Sequence, residues 1–224
     1  MSSSTKSKKA RGAAAPSSGG NRMVLVLVGL AVVAFVGVVA FLSANETSDI
    51  PSLDEVAGPV GVEGTPIDLP YPDDAGSPDP AVGLPSPVVE ALDYDDQPFV
   101  IGEPGRAQVL VFLAHWCPVC DQELPTLRDV VSAGGVPDEV DLVLVTTGLD
   151  PGRPNWPPKR WLEDAGLGGV TTVRDDVGDP MMRAYGLRAY PAWAVIDAEG
   201  TVVARRQGLL PVVGVAQLLD LAAR

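Results

Sequence analysis

Histidine occurs once in these 224 residues and cysteine twice, and aromatic side chains make up only 5% of the chain. Two cysteines rule out a disulfide-dense scaffold. A zinc centre needs about four ligands, so a carboxylate or a second chain would have to complete any site built on them and on the lone His115. Basic residues are also scarce. Five of the 16 (Lys6, Lys8, Lys9, Arg11, Arg22) fall in the first 22 residues, which hold no acid. All 29 acids lie beyond residue 42 with the other 11 basic residues, so that part carries a net −18. Such a surface repels phosphate backbones, which argues against nucleic acid as a partner.

What is present is organised in segments. Residues 1–22 are rich in Ser, Ala, Gly and Lys with nothing periodic to bury, and read as a disordered cytoplasmic tail. Met23–Leu42 contains no charged residue and, as a helix, would span roughly 30 Å, the thickness of a bilayer's hydrocarbon core. Its basic flank is N-terminal, so the positive-inside rule makes 23–42 a single-pass anchor in the cell membrane, with everything after it extracytoplasmic. A cleaved signal peptide shares the basic flank but has a shorter apolar region, and Leu42-Ser43-Ala44 is a weak cleavage site. Residues 43–85 carry Pro51, Pro59, Pro66, Pro70, Pro72, Pro78, Pro80 and Pro85 and no basic residue. That composition predicts a stiffened acidic linker. The folded domain is expected over 86–224.

Within that domain, Val88–Leu92 and Gln97–Ile101 flank Asp93-Tyr94-Asp95-Asp96 and predict a hairpin. Val109–Leu113 and Asp141–Thr147 are continuous apolar runs, as in strands buried on both faces. Leu124, Leu127, Val130 and Val131 follow Cys117 at helical spacing. Helices near 157–165 and 178–186 bracket a short strand at Thr171–Arg174. Ala192–Ile196 and Thr201–Arg205 form a second hairpin, and Pro211 suits the first turn of a closing helix through Leu221. Strands alternating with helices predict an α/β sandwich around a mixed sheet. Trp156, Trp161 and Trp193 read as packing residues.

The chemistry concentrates in Ala114-His115-Trp116-Cys117-Pro118-Val119-Cys120, between a buried strand and a helix. A cysteine at a helix N-terminus meets unpaired N–H groups and the positive end of the dipole, which favour thiolate. One turn on, a second cysteine can resolve a mixed disulfide on the first. Cys117 is therefore the candidate nucleophile and Cys120 the resolving thiol. A structural disulfide is an alternative, although so small a loop adds little stability. A peroxidase is another, but it would normally carry Thr where Ala114 stands. Asp121 reads as a surface acid. His115, on the strand-to-helix turn, reads as an exposed turn residue, or as a cation favouring thiolate if protonated.

Trp116-Cys117-Pro118-Val119-Cys120 resembles the thioredoxin active site, with Pro125 at the place of that family's helix-kinking proline. Tyr190-Pro191 resembles its cis-proline loop, and residues 195–200 its β-hairpin. The N-terminal hairpin, the helix and strand inserted over about 156–174, and the Cys-x-x-Cys-x-x-Glu-x-Pro pattern of Cys117, Cys120, Glu123 and Pro125 resemble the TlpA/ResA-like branch of membrane-anchored thioredoxins. The likeness covers roughly residues 86–222.

This resemblance implies a thioredoxin-like sandwich and a protein-disulfide reductase working through a redox-active Cys117–Cys120 disulfide, without cofactor or metal. Glu123 would be the partly buried acid that tunes the thiols and moves their protons. Trp116, Tyr190 and Pro191 would form the client-binding surface. Implied partners are disulfides of exported proteins, apocytochrome c among them, and a membrane thiol electron donor, with the chain itself a monomer. A disulfide-donating oxidase and a non-catalytic client-binding or metal-chaperone module are the alternatives. Two departures stand out: Val111 occupies the place of thioredoxin's buried Asp, and Tyr190 is bulkier than the Thr or Val usual before the cis-proline.

Overall fold

The structure, a computed structural model, describes residues 50–72 and 77–224. Residues Ile50–Arg224 form one unit around an eight-stranded mixed sheet. In chain order its elements are α1 (Leu53–Val56), β1 (Gly61–Glu63), β2 (Val88–Asp93), β3 (Pro98–Ile101), β4 (Ala107–Leu113), α2 (Pro118–Ser132), β5 (Val140–Thr146), α3 (Pro158–Asp164), β6 (Thr172–Arg174), α4 (Pro180–Ala184), β7 (Ala192–Ile196), β8 (Val202–Gln207) and α5 (Val212–Ala222). The strand order is β1-β2-β6-β5-β4-β7-β8, with β3 paired to β2. β4, β5 and β6 run parallel, and β7 and β8 join antiparallel. This is a thioredoxin-like α/β fold, with the expected hairpin as β2–β3 and the expected insertion as α3–β6.

The apolar run of β4 shows why the sheet is central. Side chains alternate across a strand. Val109, Val111 and Leu113 pack with Leu124 and Leu127 of α2 and Leu218 and Leu219 of α5. Leu110 and Phe112 face the other way, onto Met181, Met182 and Tyr185 at α4. Every residue of β4 is buried, so its last position, and the turn carrying the cysteines, is held by packing on both sides. Burying one such side chain stabilises the fold by about 1.5–3 kcal/mol.

The segment expected to be a linker differs from expectation in its described part. β1 pairs with β2, and Val56, Ile67 and Ala81 are buried. The fastening is polar. Arg205 of β8 is wholly buried and donates through Nε and one terminal nitrogen to both carboxylate oxygens of Asp79, at 3.0 and 2.6 Å. Its other terminal nitrogen donates to the carbonyls of Leu69 and Tyr185. Gly186, at φ +65°, makes room: a Cβ there would lie 2.6 Å from Arg205 and from the Ile67 and Leu69 carbonyl oxygens. Isolated anchors spaced by prolines have no period to read, which is why the packing was invisible in the sequence. Pro211, expected inside the closing helix, is instead the residue before it. The expected membrane span, 23–42, lies outside the described residues. Among the described residues no helix is long and apolar enough to cross a membrane.

Candidate active site

Cys117 is the N-cap of α2, with extended backbone (φ −83°, ψ 116°), and its carbonyl accepts the Asp121 N–H at 3.1 Å. Pro118 follows at the first helical position, where no intrahelical partner exists for the N–H it lacks. Pro125 lies inside the helix and removes the N–H that would have bonded the Asp121 carbonyl. Both cysteines are free thiols. They differ in environment: Cys117 keeps 7% of its surface, whereas Cys120 keeps none. Burial pushes the Cys120 thiol well above its ordinary value, and the neighbouring Cys117 sulfur adds to that.

The structure brings Tyr190 and Pro191 to the same place. Their peptide bond is cis, as the sequence suggested, and the Cys117 thiol donates to the Tyr190 carbonyl at 3.8 Å. The Tyr190 ring meets Trp116 edge-on, 5.8 Å between centroids at 85°. The Trp116 indole N–H donates to the Gly148 carbonyl at 2.6 Å. Arg153 lies over that ring, its guanidinium carbon 4.2 Å from the centroid.

Glu123 is fully buried, three residues beyond Cys120 on the same helix. One oxygen accepts the Leu210 N–H at 2.9 Å, tying α2 to the segment before α5. The other has no hydrogen-bond partner among the described residues. Burial raises its pKa to about 7, opposed in part by the Leu210 N–H. No hydrogen bond joins Glu123 to either cysteine among the described residues.

His115 corrects a sequence expectation. It is wholly buried, not an exposed turn residue. Nδ1 pairs with the Pro154 carbonyl at 2.7 Å, Nε2 accepts the Asp150 N–H at 3.4 Å, and the ring packs edge-on against Trp156. Burial depresses its pKa, so the neutral ring fastens the 150–154 loop and supplies no charge to the thiols. Asp121, exposed as expected, also accepts the Trp161 indole N–H at 2.7 Å. Trp193 is fully buried and Trp161 nearly so.

Sequence reasoning passed over a partly buried cluster beside Tyr190, in which Thr147 and Asp175 are buried and Asp179 half-buried. Asp179 accepts the Gly148 N–H at 2.8 Å on Oδ1, the Tyr190 hydroxyl at 3.1 Å on Oδ2, and a contact from the Thr147 hydroxyl at 3.1 Å. Thr147 also reaches Asp175, whose pKa burial raises to about 6. Asp179-Pro180 reads locally as an ordinary helix start, yet its carboxylate makes no cap bond. Trp116, Gly148, Asp179 and Tyr190 thus form a closed ring of contacts around the face on which Cys117 opens. Gly148 sits at φ +61°, and a Cβ there would come within 2.9 Å of the Tyr190 hydroxyl oxygen. Among the described residues no three His, Cys, Asp or Glu side chains converge as a metal site.

The Redoxin family profile matches residues 75–219. A curated relative, the methylamine utilization protein MauD of Methylophilus methylotrophus, is 28% identical over 130 residues, covering 56% of each chain. The chain thus spans about half the length of the curated relatives it matches. Among solved structures, StoA from Bacillus subtilis is 23% identical with a TM-score of 0.50, covering 62% of this chain and 98% of that one. A thiol:disulfide interchange protein of the thioredoxin family from Chlorobium tepidum is 22% identical with a TM-score of 0.51, covering 62% and 96%. At those identities the two structures speak to the fold alone.

Proposed function

The chain belongs to the Redoxin family, and we propose that it is a thiol–disulfide oxidoreductase that reduces disulfides in exported proteins, with Cys117 as nucleophile and Cys120 as resolving thiol. The observation that carries this reading is the asymmetry of the pair. Cys117 sits at a helix start with its thiol on the Tyr190 carbonyl, just before the cis-proline, while Cys120 is sealed with its proton held.

In the first step the Cys117 thiolate bonds one client sulfur as the client S–S bond breaks, and the other client sulfur leaves as a thiolate and takes a proton. Cys120 then gives up its proton and bonds the Cys117 sulfur, and the client's second sulfur leaves and is protonated. Two electrons pass to the client and the domain ends as the Cys117–Cys120 disulfide. Glu123, whose pKa of about 7 keeps it partly ionised at neutral pH, is the group proposed to receive the Cys120 proton. Trp116, Tyr190 and Pro191 form the surface against which the client backbone lies.

The charge asymmetry around residues 23–42 and the likeness to membrane-anchored thioredoxins support an extracytoplasmic domain, re-reduced by a membrane thiol donor. On the same likeness apocytochrome c is the client class to try first. The test is turnover of a disulfide-bonded protein by the reduced chain. Cys117→Ser should abolish it, and Cys120→Ser should accumulate a mixed disulfide on Cys117. Retained turnover in Cys117→Ser sinks the assignment, and an oxidising potential for the couple reverses the direction to disulfide donation.

A further inference from the structure

Beside the cis-proline turn lies a recess of about 120 Å³ lined by Asp179, Met182, Arg183, Leu187, Arg188 and Tyr190. Its arginines are unusual in this molecule. Beyond residue 42 the chain holds 11 basic residues against 29 acids, and seven of them are in ion pairs. Among the described residues four are not, Arg183, Arg188, Arg206 and Arg224, and the first two meet in this one recess. Both are exposed, and neither has an ion-pair partner among the described residues. The acid in the same lining makes no ion pair with them: Asp179 accepts from Gly148 and Thr147 on one oxygen and from the Tyr190 hydroxyl on the other.

The position of this recess gives it meaning. Tyr190 is shared: its side chain lines the recess while its carbonyl is the group the Cys117 thiol touches. A peptide whose sulfur reaches Cys117 thus meets the same residue, Tyr190, that lines the recess with Arg183 and Arg188. With the part of the chain beyond residue 42 at net −18, acidic peptides are repelled at long range, and unpaired guanidinium groups mark where a carboxylate gains instead. Guanidinium also suits the task, because its planar donors match a carboxylate two at a time.

We propose that the recess between α4 and the cis-proline turn is a subsite for a client carboxylate, an Asp or Glu side chain within a few residues of the cysteine that Cys117 attacks. The inference rests on the reductase reading and narrows its substrates to disulfides flanked by acidic residues.

Two disulfide-bonded peptides that differ only in Glu or Gln beside the cysteine test it, with the full-length reduced protein. The Glu peptide should have kcat/KM about fivefold higher, a size suited to solvent-exposed charge pairs. The Glu-to-Gln ratio should fall toward one in an Arg183→Gln/Arg188→Gln double variant, and with wild type in about 0.5 M salt. Serine-for-cysteine versions of both peptides, titrated against Trp fluorescence, read the recess without turnover and should show the same preference. A ratio near one in the wild-type binding titration, or a preference that survives the double variant, overturns the subsite. Failure of the wild type to reduce either peptide refutes the reductase reading, and the binding titration still decides the recess on its own.

Discussion

Replacing Glu123 by Gln gives the sharpest check on the buried end of the site. The carboxyl is an acid whose pKa rises from 4.5 in the unfolded chain to about 7 in the fold, driven by burial. Below pH 4.5 both states hold the proton and the group adds no pH dependence. Between 4.5 and about 7 the unfolded chain has released its proton while the fold retains one, so stability falls by about 1.4 kcal/mol per pH unit. Above that window the full penalty, about 3 kcal/mol, is in force. Glutamine keeps an oxygen for the Leu210 N–H but cannot ionise, so the variant escapes this loss. It also buries an amide nitrogen, at a cost of roughly 1–3 kcal/mol that does not change with pH.

The pH dependence of the difference is therefore the clean quantity. Urea unfolding of the reduced wild type and Glu123→Gln, compared from about pH 4.5 to 8.5, should show the variant gaining about 3 kcal/mol on the wild type across the range. A constant difference over that range would refute a carboxyl held in low dielectric beside α5. Release of client from the mixed disulfide supplies the functional arm. Loss of a positioned proton acceptor typically costs on the order of 10²-fold, so Glu123→Gln should slow the Cys120 step while sparing the first attack.

Two further outcomes are expected. Arg205→Ala should destabilise the fold by roughly 3–5 kcal/mol in denaturant, because it strands the Asp79 carboxylate in a buried position; a loss below about 1 kcal/mol would show that the 77–84 segment is not held by this pair. His115 should titrate below 6.5 by imidazole NMR, and stability should decline as pH falls below that value, where the unfolded chain binds the proton more readily; a midpoint at or above 6.5 would contradict its burial.

The parts of this molecule that were legible in the sequence are those carried by local pattern. The apolar runs of β4 and β5 and the helix start at Cys117-Pro118 declare themselves within a few residues, the cis-proline at Tyr190-Pro191 follows from the resemblance to the thioredoxin loop, and the structure has each of them. What stayed hidden depends on partners far along the chain. His115 looks like a turn residue until Asp150 and Pro154 close over it, and Asp179 looks like a helix cap until Gly148 and Tyr190 meet its oxygens. The β1 segment and the anchors Ile67 and Ala81 hide for another reason: each is a single apolar position among prolines and acids, and a lone buried residue has no periodicity.

The ring through Trp116, Gly148, Asp179 and Tyr190 has a consequence for how such a protein can change over generations. The two sulfurs sit within four consecutive residues, whereas the proposed client face draws on three further stretches of chain that meet around a residue with no side chain. Drift at 148 or 179 would therefore leave the thiols intact and alter which proteins they are offered. Much of the proposed selectivity therefore lies in stretches of sequence away from the cysteines, joined to them through Trp116 and the Tyr190 carbonyl.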